Sequence, residues 1–340
     1  MRFVCAPPGD FQADLPDARL LDEAAAVSAR FPEARLRPCS LARLPEADAR
    51  AHARVWVALE SLQVTGSFKV RGALVALARL ASRGEKAVVA ASAGNHGAGV
   101  AYAANVLDLD ATVVVPKNAP ETKRARIAQY GARLVVSESA SYDGAEREAR
   151  ELARKTGAPF VSPYDDVAVV AGNGGSLGFE IERALGHAPA VVVAPFGGGG
   201  LATGLACALP ASRVIGAQSE ASPAFALSLE RGAAVETLDG DDTLADGLEG
   251  GISRAAFARA RARVAGVVVV SEASIASAMA SAYRSLGVTI EGSAAAALAP
   301  VLEGELLPEL RPASPKDDVV VVLTGRNVDR ARLESVLSRT

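Results

Sequence analysis

The sequence predicts an α/β fold built on parallel sheet, in two lobes that interleave along the chain. Three observations lead there. Short β-rich runs recur from residue 87 to residue 325, and most are apolar throughout rather than alternating, as expected of strands covered on both faces. Alanine-rich stretches of helical length lie between many of them, each long enough for a right-handed crossover. The chain has 340 residues, 50% of them hydrophobic and 22% charged, enough to bury the cores of two domains.

The elements follow in order. "AVVAAS" (87–92) leads into a helical pattern at 95–107, "ATVVVP" (111–116) into one at 120–130, and "ARLVVS" (132–137) into one at 143–156. These three strands would form a compact subdomain. Further strands are expected at "AVVVAP" (190–195), "RVIGAQ" (213–218), "GVVVVSE" (266–272) and "DVVVVLTG" (318–325), with helices at 273–286 and 291–303. Loops bearing Pro or Gly fall near 115–121 and 308–316, and neither an internal repeat nor a low-complexity linker interrupts the pattern.

Composition narrows the function. A formal net charge of −3, without Lys/Arg clusters interleaved with aromatics, argues against nucleic acid and for a small-molecule partner. No apolar run approaches the roughly 18 residues of a membrane helix, and the N-terminal "MRFVCAPPGDF" lacks a signal-peptide core, so a cytoplasmic protein away from membranes is expected. Cys5, Cys39 and Cys207 form no CxxC, and His52, His96 and His187 stand far apart, so neither a disulfide framework nor a metal site is expected.

In open parallel sheets, ligands sit beyond the carboxyl ends of the strands. After "AVVVAP" comes "FGGGGLATG" (196–204), four glycines that let backbone N–H groups approach an anion where a helix begins. A phosphate suits that loop. "AGNHGAG" (93–99) and "TGRNVD" (324–329) leave two other strands, and "TGSFKVRG" (65–72) places Lys69 in a small-residue turn. Lys69 is either a surface charge or a nucleophilic amine made reactive by burial. Gly197, Gly199 and Ala202 also satisfy the GxGxxG/A dinucleotide fingerprint, with Glu220 about 20 residues on, which would suit a nicotinamide-dependent dehydrogenase. That reading leaves Lys69, "SAGNH" and "TGRN" without a role. A phosphate-bearing aldehyde cofactor uses all four: a lysine to hold the aldehyde as an imine, a glycine loop for the phosphate, an amide for the phenolic oxygen and a hydroxyl for the ring nitrogen.

"TGSFKVRGA", "SAGNHGAGVAYAA", "PFGGGGLATG" and "LTGRNVD" resemble, in order, the motifs of the fold-type II pyridoxal phosphate enzymes, within the threonine/serine dehydratase (ammonia-lyase) and serine racemase group. The resemblance runs from about residue 50 to residue 330. It implies a tryptophan synthase β-like architecture: two open, twisted, mostly parallel sheets flanked by helices. The large cofactor-binding domain would comprise 1–85 and 162–340, and the small substrate-binding domain 86–161. The cofactor would be pyridoxal 5'-phosphate on Lys69. Phe68 would pack beside the ring, Asn95 would meet the phenolic oxygen, Gly197, Gly198, Gly199, Gly200 and Leu201 would hold the phosphate, Thr324 would face the ring nitrogen, and Glu291 would lie near the cofactor. Ser67, Ser92, Ala93, Gly94, Asn95, His96 and Arg326 would meet the substrate. The implied reaction is β-elimination from a small L-β-hydroxy amino acid, L-threonine or L-serine by default, with Lys69 removing the α-proton and a 2-oxo acid and ammonia as products. A homodimer or homotetramer is expected.

Some residues depart from the pattern. Arg326 replaces a usual glycine or alanine; it either adds a polar contact that selects a larger or more polar β-hydroxy amino acid or turns to solvent. Gln218 and Ala224 stand where metal-activated relatives carry acids, so no metal is expected. Gly292 replaces a common proline, and Ala93 a serine that the racemases use as their second acid/base. A non-catalytic relative that only binds the cofactor is the remaining alternative.

Overall fold

The computed structural model describes residues 1–7, 13–238, 242–303, 308 and 311–340. Among them, ten strands form two sheets: β1 (Arg2–Cys5), β2 (Leu41–Arg43), β3 (Arg54–Ala58), β4 (Ala87–Ala91), β5 (Asp110–Val115), β6 (Arg133–Val136), β7 (Val191–Pro195), β8 (Arg213–Ser219), β9 (Gly266–Val270) and β10 (Asp318–Val322). The larger sheet has the order β1-β9-β8-β7-β10-β3-β2 and the smaller β4-β5-β6. All pairings are parallel except β1 with β9 and β2 with β3, at the two edges of the large sheet. Helices flank both sheets, as the predicted fold class requires.

The unbroken apolar runs have a geometric reason. Alternate residues of a strand face opposite sides. In the large sheet Val191, Val193, Val319 and Val321 enter one core with Ala294–Ala299 of the helix Gly292–Leu302. Val192, Ala194, Val320 and Val322 enter the opposite core with Phe196, Leu201 and Leu205. Both faces are dry, so alternation would be penalised. The small sheet repeats this: Val88 and Ala90 pack on the helix Asn95–Val106, and Val89 and Ala91 on the helix Tyr142–Thr156.

Observed helices at Asn95–Val106, Glu121–Ala128, Tyr142–Thr156, Glu272–Ser285 and Gly292–Leu302 match the predicted ones within two residues. Strand β9 stops at Val270, short of the expected 272, because Ser271 caps the next helix through the Ser274 amide. In the expected loop at 308–316, residues 309 and 310 lie outside the described residues. The edge strands β1 and β2 carry no sequence signal: at four and three residues they are too short to show a period, and only their partners make them strands.

Candidate active site

Four strand ends converge on one place. Beyond β3 the chain reaches the turn Thr65–Gly66, then enters the helix Lys69–Ser82. The segment after β10 fixes that entry: Phe68 N donates to Thr324 O at 3.0 Å, Arg326 N to Gly66 O at 3.0 Å, and Ser67 pairs with Gly325. Beyond β4, Ser92 Oγ accepts from Gly94 N at 3.0 Å and the helix Asn95–Val106 begins. This helix crosses the lysine helix so closely that a Cβ on Gly99 would lie 3.0 Å from the Lys69 carbonyl carbon and oxygen.

Lys69 is half-buried, and its Nζ finds only the Pro163 carbonyl, at 3.4 Å, among the described residues. Loss of water lowers its pKa to about 8, against which the nearby Glu291 carboxylate acts weakly. Glu291 is buried, and desolvation raises its pKa to about 7 in spite of the Asn95 amide. Asn95 Nδ2 donates to the two Glu291 oxygens at 2.8 and 3.1 Å. Phe68 lies buried beside the amine, its ring centre 5.2 Å from Nζ.

The glycine loop leaves β7 opposite this group. Gly199 adopts φ +77°, which turns the chain into the helix Gly200–Ala208. None of the amide N–H groups from Gly197 to Leu201 has an acceptor among the described residues. Tyr164, next to the Pro163 that meets Lys69, lies against this loop: a Cβ on Gly198 would come within 2.6 Å of its ring. The amine and the unsatisfied amides thus share one wall.

Other polar atoms here also lack partners among the described residues. Ser67 Oγ and His96 Nδ1 are buried and unpaired, and the buried Thr324 hydroxyl makes no hydrogen bond. Unpaired buried polar groups cost free energy, and a cluster of them beside a desolvated amine marks a place for a polar ligand. A phosphate for the amides, an aldehyde for the amine and a heterocycle beside Phe68 fit this donor set.

Two residues expected to meet the substrate differ in their surroundings. Arg326 is exposed and its side chain makes no hydrogen bond or ion pair among the described residues; only its backbone takes part, through Gly66. His96 is buried, its Nε2 donating to Val161 O at 3.0 Å, and desolvation followed by Lys69 lowers its pKa to about 3. It is a neutral imidazole with Nδ1 alone to offer. Ala93 and Gly94 are half-buried at the helix entrance with Asn95. Gln218 accepts two amides, Phe225 N and Ala226 N, each at 3.1 Å, and Ala224 is buried. Glu220 accepts from Glu272 N at 3.3 Å. Gly292 faces the Leu244 carbonyl, which would stand 2.0 Å from a Cβ.

Sequence reasoning missed several supports. Arg71, two residues past the lysine, is fully buried and held by Glu60 at 2.7 Å and Glu180 at 2.8 Å, whose carboxylates keep it charged against the burial that opposes charge. A π-helical turn, Ala171–Gly175, wedges between the lysine helix and the phosphate-side helix. Its Asn173 accepts from Gly72 N at 2.9 Å, and a Cβ on Gly204 would stand 2.3 Å from Val170 O. The glycines at 172, 174 and 175, together with Gly72 and Gly204, were the available signal.

Comparison with known proteins agrees with this geometry. The chain is 37% identical over 294 residues to the L-threonine ammonia-lyase of Thermotoga maritima, covering 84% of this chain and 70% of that protein. It is 35% identical over 295 residues to the catabolic L-threonine dehydratase TdcB of Escherichia coli (strain K12), covering 84% and 87%. Among solved structures, a threonine deaminase from T.th. superposes with TM-score 0.80 at 34% identity, covering 92% of this chain and 99% of that one. Maize serine racemase superposes with TM-score 0.85 at 28% identity, covering 96% and 98%. The description "Pyridoxal-phosphate dependent enzyme" matches residues 34–325, most of the chain, so the protein belongs to the pyridoxal-phosphate dependent enzyme family and takes that cofactor.

Proposed function

We propose that the protein is an ammonia-lyase that eliminates water from a small L-β-hydroxy amino acid, threonine or serine first, and releases an enamine whose hydrolysis takes up water again to give a 2-oxo acid and ammonia. The observation that carries this reading is the shared wall of a desolvated lysine and five acceptor-less amide N–H groups. The names of the relatives above support the choice of reaction. Gly197–Leu201 would hold the phosphate, Phe68 would flank the ring, and Asn95, which donates to Glu291, would meet the phenolic oxygen. Thr324 offers the ring nitrogen a hydroxyl rather than a carboxylate, so no fixed negative charge holds a proton there, which favours elimination over transamination. The cofactor supplies the electron sink for the α-carbanion.

The protein supplies the proton chemistry. Lys69 Nζ, whose pKa desolvation lowers to about 8, takes the α-proton when it is neutral. The amides at the start of the helix Asn95–Val106, with Ser92 and Gly94, receive the substrate carboxylate. Ser67 Oγ, unpaired and buried beside the entry to the lysine helix, is a further group for the substrate or phosphate. A screen of β-hydroxy amino acids for 2-oxo acid release tests the reading. Threonine or serine should lead the series, and turnover confined to other amino acids would contradict it.

The same reading includes a homodimer or homotetramer in the cytoplasm, as the family resemblance suggests. Among the described residues no helix is long and apolar enough to cross a membrane. A monomer by light scattering at micromolar concentration would refute the assembly.

A further inference from the structure

A second asparagine fixes the orientation of the Asn95 carboxamide. The Thr65 carbonyl can only accept, so the side-chain atom of Asn327 that lies 3.0 Å from it is the amide nitrogen Nδ2. That nitrogen also lies 2.6 Å from Asn95, which must present its oxygen Oδ1 there. The Asn95 NH2 group is thereby directed at Glu291. A flipped Asn95 would set donor against donor at Asn327 and oxygen against the Glu291 carboxylate.

Asn327 is itself seated firmly. A Cβ on Gly66, whose φ is +75°, would stand 2.4 Å from Asn327 Oδ1, so the carboxamide lies flat over a glycine. The neighbouring backbone is tied through Arg326 N to Gly66 O at 3.0 Å and Glu291 N to Gly325 O at 3.0 Å. A backbone carbonyl therefore dictates the Asn327 amide, and Asn327 dictates Asn95.

We propose that Asn327 is a positioning residue for the cofactor: it holds the Asn95 NH2 group toward the phenolic oxygen and so sets where the proton of the resting Lys69-bound chromophore resides. This rests on the reading above that Asn95 meets that oxygen. A donor at the oxygen stabilises it as an anion and leaves the proton on the imine nitrogen, the tautomer that absorbs in the visible. An acceptor there draws the proton onto the oxygen and gives the near-ultraviolet tautomer.

The test is the absorption spectrum of purified holoenzymes at equal cofactor content and fixed pH, without substrate, alongside thermal melts. Asn327→Asp puts two acceptors opposite Thr65 O and Asn95, which turns the Asn95 oxygen toward the cofactor. The near-ultraviolet to visible ratio should rise severalfold. Asn327→Ala frees Asn95 to sample both orientations and should give an intermediate ratio, which keeps the test open if the aspartate variant fails to fold. Asn95→Ala separates the two layers of argument. If Asn95→Ala shifts the ratio and both Asn327 variants keep the parent's, Asn327 only closes its turn and the proposal is overturned. If Asn95→Ala leaves the ratio unchanged, the Asn95 contact itself is wrong, and the proposal falls with it.

Discussion

In the proposed reading the chemistry of this protein turns on the protonation of Lys69. Desolvation lowers the pKa of its amine to about 8, with the Pro163 carbonyl as its hydrogen-bond partner among the described residues. Only the neutral amine attacks an aldehyde. Uptake of pyridoxal 5'-phosphate by the cofactor-free protein, followed by growth of the imine band, should therefore speed up about tenfold per pH unit below about 8 and level off above it. A rate that keeps climbing beyond pH 10 would mean an amine with the ordinary affinity for its proton. The opposite face of the site makes a different prediction. By the family resemblance Ala93 replaces a serine that the racemases use as their second acid/base, and a methyl group cannot deliver a proton, so in the proposed reading Lys69 would act alone. Racemisation needs a second group on the other face. The parent should give no appreciable D-isomer from L-serine by chiral chromatography, and Ala93→Ser should give a detectable amount at some cost to elimination. Rapid D-serine formation by the parent would show that another side chain serves that face.

The elements that hold the lysine were the harder part to read. The lysine and its glycine loop stand out because each is chemically odd where it sits. Arg71 does not, because its partners Glu60 and Glu180 lie 11 and 109 residues away and nothing local marks them as neighbours. The π-helical turn Ala171–Gly175 likewise appears in sequence only as "AGNGG". It serves close packing: the phosphate-side helix approaches it until Gly204 faces Val170 O and the Gly174 Cα. Backbone atoms cannot yield as a flexible side chain can. Gly204→Ala should cost about 1–3 kcal/mol by overpacking, and Arg71→Leu about 3–5 kcal/mol by leaving the buried Glu60 and the partly buried Glu180 uncompensated. Denaturant melts of the two variants measure both. Wild-type stability in Arg71→Leu would mean that the cluster relaxes around the missing guanidinium.

At the scale of the whole molecule, the fold was legible where burial is two-sided. Runs such as "AVVVAP" and "DVVVVLTG" are apolar because both faces of β7 and β10 meet packed helices. The lone edge pairings were not legible, since β1 and β2 have only one neighbour each. The relation between the two sheets was also hidden, because it rests on contacts between distant segments. From the helix Glu121–Ala128, beside the small sheet, Thr122 Oγ1 donates to Asp329 at 2.8 Å and Lys123 Nζ pairs with Asp246 at 2.6 Å. Asp246 lies on the short turn Asp246–Leu248, and Asp329 follows β10. These bonds tie that helix to segments of the large sheet, and Asp246 and Lys123 both act on the Glu291 carboxyl in the site. A partly exposed pair contributes up to about 1 kcal/mol, so Lys123→Ala should raise the KM for amino acid by roughly two- to fivefold at low salt. High salt should erase the difference between parent and variant. An unchanged KM at low salt would leave the pair as surface decoration.

The central claim is that Lys69 carries the cofactor. Reduction of the resting holoenzyme with borohydride, followed by proteolysis and mass analysis, tests it most directly. The account predicts that the visible band disappears and that a single peptide, the one containing Lys69, retains the pyridoxyl phosphate mass. A label on any other lysine, or cofactor that washes away after reduction, would contradict it.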